Sequence, residues 1–350
     1  MKLAVDCRML GTGGIGTYIA ELIPLFLEKY TCLLIGRGED IAAYADNPHA
    51  ELCPCAVGVF SLRELSAFPR TVSRRINECS AYYTPYCNIP SGIRVPVFST
   101  IHDVVFLDVP GLASKTGTAV RKWFYKRAVR KSRAVFTVSK FSAGRITSLL
   151  KCRKPVVVTY SAVPSWLQND TSGTVQKDGS ILFVGNIKKH KGLHVLLPAF
   201  RSALDKGLAA QLVITGNADN FRTGDDSILH DIEKMPEGFV RFTGKVSDTE
   251  LKHLYEKASL LVQPSLYEGF GLPPLEAMTL GTNALISDIP VFREIYAQYP
   301  VTFFKNGDSS DLALKLLSCA AMPSPRNIPR LYSFRHTFEL ISAGIDFYRA

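Results

Sequence analysis

Three absences bound this sequence. No apolar run approaches the roughly 18–20 residues of a membrane-spanning helix. The opening MKLAVDCRML is broken by Asp6 and Arg8 before a signal-peptide apolar region develops, so the chain is expected to stay in the cytoplasm, where it is made. No C-x-x-C pair occurs among the eight cysteines, and only Cys53 and Cys55 lie close together. That argues against zinc-ribbon and thiol-redox roles and for reduced thiols. There is no Asp-x-Asp, and no His/Cys cluster has ligand spacing, so no metal is expected to be essential.

Acidic residues are scarce in the first half only. Residues 1–165 hold 22 Lys+Arg against 11 Asp+Glu, while the rest hold 19 against 20, out of a chain total of 41 and 31. Such asymmetry points to an anionic partner for the first half. The remaining bulk properties are those of an ordinary globular protein: 47% hydrophobic and 21% charged residues. A length of 350 residues favours two domains over one core.

Short β-rich runs alternate with amphipathic stretches along the whole chain. Strands are expected near Lys2–Asp6, Thr31–Gly36, Ala81–Thr84, Pro96–Ile101, Ala134–Val138 and Val156–Thr159 in the first half, and helices near Gly16–Tyr30, Arg63–Glu78, Lys115–Lys131 and Phe141–Lys151. Six more, from Ile181–Gly185 to Val301–Phe304, are each followed by a helical segment in almost every case. This alternation predicts an α/β chain of two doubly wound, Rossmann-like parallel sheets. The polar stretch 168–180, QNDTSGTVQKDGS, reads as a linker between a first domain, 1–167, and a second, 181–330. The tail 331–350 returns to helical spacing with Phe334, Phe338, Ile341 and Ile345, and is expected to pack back on the first domain. If the C-terminal edges of two such sheets face each other, a cleft forms that can hold two substrates.

The most informative segment runs from Pro264 to Met278, PSLYEGFGLPPLEAM. A strand ends before it, a glycine-bearing loop follows, and a helix is expected from Pro273. Strand, loop and helix N-terminus form the arrangement that binds phosphate through free backbone N–H groups and the helix dipole. Two carboxylates, Glu268 and Glu276, flank the loop and suit neutral donors such as sugar hydroxyls. The E-G-F-G-L-P-P-L-E pattern resembles the E-x7-E motif of retaining glycosyltransferases of family 4, which have the GT-B fold of two facing Rossmann-like domains. The resemblance implies that Glu268 contacts the donor sugar and Glu276 the ribose, with Gly269, Phe270, Gly271 and Leu272 near the sugar and diphosphate.

Phe183–Gly192, FVGNIKKHKG, crowds three lysines and a histidine into a strand-to-helix turn. Cations there oppose the helix dipole unless an anion sits between them. The family places a basic pair at this point. Lys191 matches its lysine, whereas Asn186, after Gly185, stands where an arginine is usual. Gly216, after the next strand, is also assigned to the donor side. Gly11–Gly16 matches G-x-G-x-x-G, but its spacing from the strand and from Glu39 and Asp40 is poor for a dinucleotide. The loop resembles instead the family's GGIG loop, which implies donor contacts for Gly14, Ile15 and Gly16.

His102 follows a buried-type strand, where the resemblance implies a histidine near the donor sugar. Asp103 and Ser139 are candidates on the acceptor side, Ser139 equally a helix N-cap. His102, Lys191 and Glu268 are the candidate catalytic residues. In Arg121–Arg133 seven of thirteen residues are basic, with Trp123, Phe124 and Tyr125 among them. Lys122, Lys126 and Arg130 fall on one stripe that suits an anionic membrane or a lipid-linked acceptor. No nucleic-acid module is present. The function implied is transfer of a hexose from a nucleoside-diphosphate sugar (UDP-glucose type or GDP-mannose) to a glycan or lipid-linked glycan. An NAD-dependent oxidoreductase using Gly11–Gly16 and a non-catalytic sugar-nucleotide binder are the rivals.

Overall fold

The structure, a computed structural model, describes residues 1–168, 175–216, 232, 235–319, 322–325 and 327–349. The chain divides into two units, Met1–Pro164 with Tyr332–Ala350, and Ser165–Leu331.

The first unit is built on seven parallel strands: β1 (Lys2–Asp6), β2 (Thr31–Gly36), β3 (Ala50–Pro54), β4 (Ala81–Thr84), β5 (Val97–Thr100), β6 (Ser132–Thr137) and β7 (Val156–Val158). Their order is β3-β2-β1-β4-β5-β6-β7. Leu3, Ala4 and Val5 of β1 are all buried. A strand without alternation has both faces covered, as in parallel sheets sandwiched by helices. β3 was not expected from the sequence, because Glu51 and Pro54 make A-E-L-C-P read as loop. It pairs with β2 from Cys32↔Ala50 to Gly36↔Pro54 and lies on the sheet edge, where a terminal proline is tolerated. The helix expected over Arg63–Glu78 is two, Arg63–Ser66 and Arg70–Asn77. Pro69 disfavours helical geometry at Phe68 and separates them.

The tail forms the helix Phe334–Tyr348, which packs on the helix Gly13–Lys29. Phe338 meets Phe26 edge-on at 5.5 Å. Lys29 Nζ lies 2.7 Å from Asp346, and Arg335 2.5 Å from Glu28.

The second unit has six parallel strands: β8 (Ile181–Val184), β9 (Leu212–Thr215), β10 (Val240–Gly244), β11 (Leu260–Gln263), β12 (Asn283–Ser287) and β13 (Thr302–Phe304), in the order β10-β9-β8-β11-β12-β13. Phe183, Leu196, Phe200, Ile214, Val262 and Leu312 lie in its buried core. The polar stretch 168–180 does not separate the units, whose boundary falls at Pro164–Ser165. Lys177 is held within the second unit, donating to Glu256 O at 2.8 Å and Thr282 Oγ1 at 2.7 Å. Residues 169–174 of that stretch lie outside the described residues.

Both sheets reverse their strand order at the centre, between β1 and β4 and between β8 and β11. Connections leave these strands in opposite directions, so a crevice opens beyond their C-terminal ends. Among the described residues no helix is long and apolar enough to cross a membrane.

Candidate functional site

At the switch point of the second unit, the loop after β8 carries Lys191 and the loop after β11 carries Glu268. Lys191 Nζ donates to Glu268 Oε1 at 2.7 Å and to Oε2 at 2.9 Å. Two of its three ammonium protons are thereby used, and one is left. Glu268 Oε1 also accepts from Ser265 Oγ at 2.7 Å and Gln263 Nε2 at 3.2 Å. Ser265 and Gln263 are fully buried, and Glu268 is 8% exposed. Burial alone raises the Glu268 pKa, but the charge and hydrogen bonds of Lys191 and the Ser265 hydroxyl outweigh it and hold the group below the usual carboxylate range. The residue therefore carries full negative charge. The sequence assigned Lys191 and Glu268 to different parts of a ligand; here they also hold each other.

The two loops are locked together by backbone. Leu266 N donates to His190 O at 2.8 Å. Gly192 adopts φ +79°, and a Cβ there would lie 1.9 Å from Pro264 O. Only glycine permits both the left-handed turn and that approach. His190 is buried, and burial together with the Lys191 charge lowers its pKa to about 4, so it is neutral.

The helix after β11 begins at Pro273, as its proline pair predicts, but it offers less than the sequence implied. Pro273 and Pro274 have no N–H, and the N–H groups of Leu275 and Glu276 donate to Leu272 O at 2.9 and 3.0 Å. The helix start thus supplies its dipole and no free donor. Any N–H donation to a phosphate on this side falls to the loop Gly269–Leu272. Gly271 has φ +82°, and a Cβ would meet Phe292 Cε1 at 2.4 Å.

Glu276 is partly buried in the first turn of that helix and accepts from Tyr255 OH at 2.6 Å. Burial, reinforced by Asp248 and only partly offset by the Tyr255 hydrogen bond, pushes its pKa up to about 7. Glu268 and Glu276 thus differ in charge state near neutrality. Asn186, Lys188 and Lys189 are exposed. Gly216 follows β9 directly, with its N–H on Gly244 O at 3.1 Å.

In the first unit, Gly14, Ile15 and Gly16 are not in a free loop. They form the first turn of the helix Gly13–Lys29. His102 follows β5, and its Nε2 lies 3.0 Å from Pro85 O. A carbonyl only accepts, so Nε2 carries the proton. Burial lowers the His102 pKa to about 4 despite this bond, which keeps the ring neutral. Tyr18 packs edge-on to it at 4.9 Å. Asp103 Oδ1 accepts from Val105 N at 3.0 Å. Ser139 caps the helix Lys140–Leu150 by accepting from Ser142 N at 3.0 Å.

One cluster escaped the sequence reading. Arg8, after β1, donates to Asp6 Oδ1 and Oδ2 at 2.9 and 2.7 Å and to Tyr86 OH at 2.6 Å, and it pairs with Glu64 at 2.9 Å. Tyr82 OH reaches Asp6 Oδ2 at 2.6 Å, and Glu64 also accepts from Tyr86 and Asn88. All these residues are buried. In the sequence Asp6 and Arg8 read as breaks in an apolar run; two charges at the end of a buried strand are the available signal. Among the described residues no group of three or more His, Cys, Asp or Glu gathers where it could hold a metal. All eight cysteines are free thiols.

The sequence of residues 165–330 matches the family described as Glycosyl transferases group 1. The match lies within the second unit, Ser165–Leu331. The chain is 26% identical over 227 residues to O-antigen chain mannosyltransferase B of Escherichia coli, covering 61% of the chain and 58% of the relative. It is 31% identical over 175 residues to O-antigen chain mannosyltransferase RfbU of Salmonella typhimurium, covering 50% and 47%. The matched segments span about half the length of these relatives. Among solved structures, sucrose-phosphate synthase from Thermosynechococcus elongatus superposes with a TM-score of 0.67 at 16% identity, over 100% of the chain and 96% of that protein. HepE from Anabaena, solved in complex with UDP and glucose, gives 0.66 at 16% identity, over 99% and 95%. The fold is the GT-B fold of two Rossmann-like units.

Proposed function

We propose that this protein is a retaining glycosyltransferase. It moves a hexose from a nucleoside-diphosphate sugar to a hydroxyl of a glycan or lipid-linked glycan, as in cell-surface polysaccharide synthesis. The observation that carries this reading is the Lys191–Glu268 pair at the switch point of the second unit. A partly accessible ammonium with one proton unused suits a diphosphate oxygen. A buried, ionised carboxylate suits a sugar hydroxyl, and Glu276 the ribose. The mannosyltransferase names of the relatives and the UDP and glucose held by HepE favour the same class of donor.

In this reaction the bond from the anomeric carbon to the β-phosphate oxygen breaks, and a bond from the acceptor oxygen to that carbon forms on the same face. The acceptor proton passes to the departing phosphate, so no protein nucleophile is required. Lys191 stabilises the charge that develops on the leaving group. His102, a neutral ring whose Nε2 proton is committed to Pro85, presents an unprotonated Nδ1 that accepts a hydroxyl hydrogen bond. Asp103 and Ser139 stand on the acceptor side. The face bearing Lys122, Trp123, Lys126 and Arg130, all exposed, suits an anionic membrane that carries the acceptor.

A thermal-shift panel tests the reading. UDP-glucose or GDP-mannose should raise the Tm, while NAD should not. A shift with NAD alone would favour the oxidoreductase. Hydrolysis of the bound donor in the absence of acceptor separates an enzyme from a silent binder.

A further inference from the structure

The opposite edge of the first unit holds a second basic site that the sugar-transfer reading does not use. A cavity of about 250 Å³ opens between the segment Ile93–Val97 and the residues Lys131 and Arg133. These residues lie at the N-terminal ends of β5 and β6. His102 and Ser139 follow the C-terminal ends of the same strands, about 13 Å away along β5 and about 20 Å along β6 at roughly 3.3 Å per residue. Substrates of doubly wound sheets bind at the C-terminal edge, so this cavity is separate from the site above.

Of its seven lining residues, three are cations, Arg94, Lys131 and Arg133, and none is acidic. Several other cations of the unit are matched: Arg8 with Asp6 and Glu64, Arg75 with Glu51, Arg145 with Asp108 and Arg335 with Glu28. Among the described residues no ion pair involves the three cavity cations. Lys131 is partly buried, and its pKa is lowered by burial and then by Arg127 and Arg130. The dipole of the helix Lys115–Lys131 accounts for cations in its last turn. It does not account for Arg94 and Arg133, which lie outside that helix. The volume falls below the roughly 300–1,000 Å³ of clefts for drug-sized ligands, and so fits a phosphate group better than a nucleotide.

We propose that Arg94, Lys131 and Arg133 form a binding site for a phosphate group, either free phosphate or the phosphodiester of an anionic lipid headgroup. The proposal does not rest on the donor assignment. An anion there offsets the like charge of Arg127 and Arg130 that bears on Lys131 and gains charge-assisted hydrogen bonds from two guanidinium groups.

Two probes and two matched variants test it. Inorganic phosphate is titrated calorimetrically into the Lys191→Ala chain, so that the donor-side ammonium contributes nothing. In parallel, the unaltered chain is floated with phosphatidylglycerol–phosphatidylcholine vesicles and with phosphatidylcholine alone. Each measurement is repeated with Arg94→Ala/Arg133→Ala and with Lys122→Ala/Lys126→Ala, which removes the same charge from the helix face. All four substituted side chains are exposed, and unchanged Tm and circular dichroism confirm the fold. The expected result is a loss of at least tenfold in affinity for one probe or both from the cavity pair, and a smaller loss from the helix pair. Loss confined to phosphate identifies a free anion; loss that includes vesicles identifies a headgroup. If the cavity pair is no worse than the helix pair for both probes, the charge acts only as a diffuse field and the proposal is overturned.

Discussion

Lys191 was legible from its place before Gly192 at a strand-to-helix turn, and Glu268 from the E-x7-E spacing. Their mutual contact was not, because 77 residues of chain separate them. On the proposed reading, removing Lys191 takes charge stabilisation from the leaving group, and it leaves Glu268 buried and uncompensated. Lys191→Ala should lower turnover by about 10²–10³, measured as kcat with saturating donor; unchanged turnover and donor affinity would contradict the diphosphate role. Glu276 gives a second test. Its pKa near 7 means that the carboxyl is largely protonated at pH 6, while the proposed ribose contact calls for the carboxylate. Nucleotide affinity should therefore rise with pH, by up to about tenfold per unit, and level off above pH 7. The sign for folding is opposite. A raised folded-state pKa contributes stability below about pH 4.5 that is lost as pH rises through 7. Glu276→Gln should therefore raise the Tm above pH 7, weaken nucleotide binding and flatten its pH profile. Calorimetry across pH 5–8 reads both binding effects.

Local rules predicted much of each element and failed where a distant partner decided. The helices Lys115–Lys131 and Phe334–Tyr348 lie where their spacing placed them, because amphipathic periodicity is written locally. β3 was missed because its neighbour β2, not its composition, makes it a strand. The anion-binding helix start inferred at Pro273 lost its donors to two prolines and to Leu272 O. In contrast, four helices that begin elsewhere are capped by serines, at Ser114, Ser139, Ser247 and Ser333. The helix after Lys191 starts from Gly192 with no side-chain cap. At Gly192 the turn and the loop contact coincide, so Gly192→Ala has no relaxed solution. It should destabilise the second unit by about 2–5 kcal/mol and abolish the nucleotide-induced Tm shift, read by denaturant titration and thermal shift. A wild-type stability would mean that Pro264 moves aside freely.

The two units differ in how the chain builds them. The second is continuous, from Ser165 to Leu331, whereas the first needs Tyr332–Ala350 to complete it. Cutting the chain after Leu331 removes the helix that covers Phe26 and Tyr18 and breaks the pairs Lys29–Asp346 and Glu28–Arg335. Residues 1–331 should therefore show a lowered first melting transition and retain the nucleotide-dependent shift of the second, by calorimetry with and without donor. A single transition lost as a whole would show that the units melt together. The charge asymmetry seen in the sequence also resolves at this scale. Part of the excess is solvated on the face of Lys122, Lys126 and Arg130, and part converges on the cavity of Arg94, Lys131 and Arg133.

By itself the sequence determined the α/β alternation, the places of most strands and long helices, and the residue types that end the central strands of the second unit. These follow from periodicities and turn chemistry that act within a few residues. Only the tertiary structure decided that β8 and β11 are neighbours, which turns two separate motifs into one ion pair. It also decided that Asp6, Arg8 and Glu64 share a single buried cluster. Those outcomes depend on strand order, and strand order is set by how whole helices cover a sheet rather than by any local pattern.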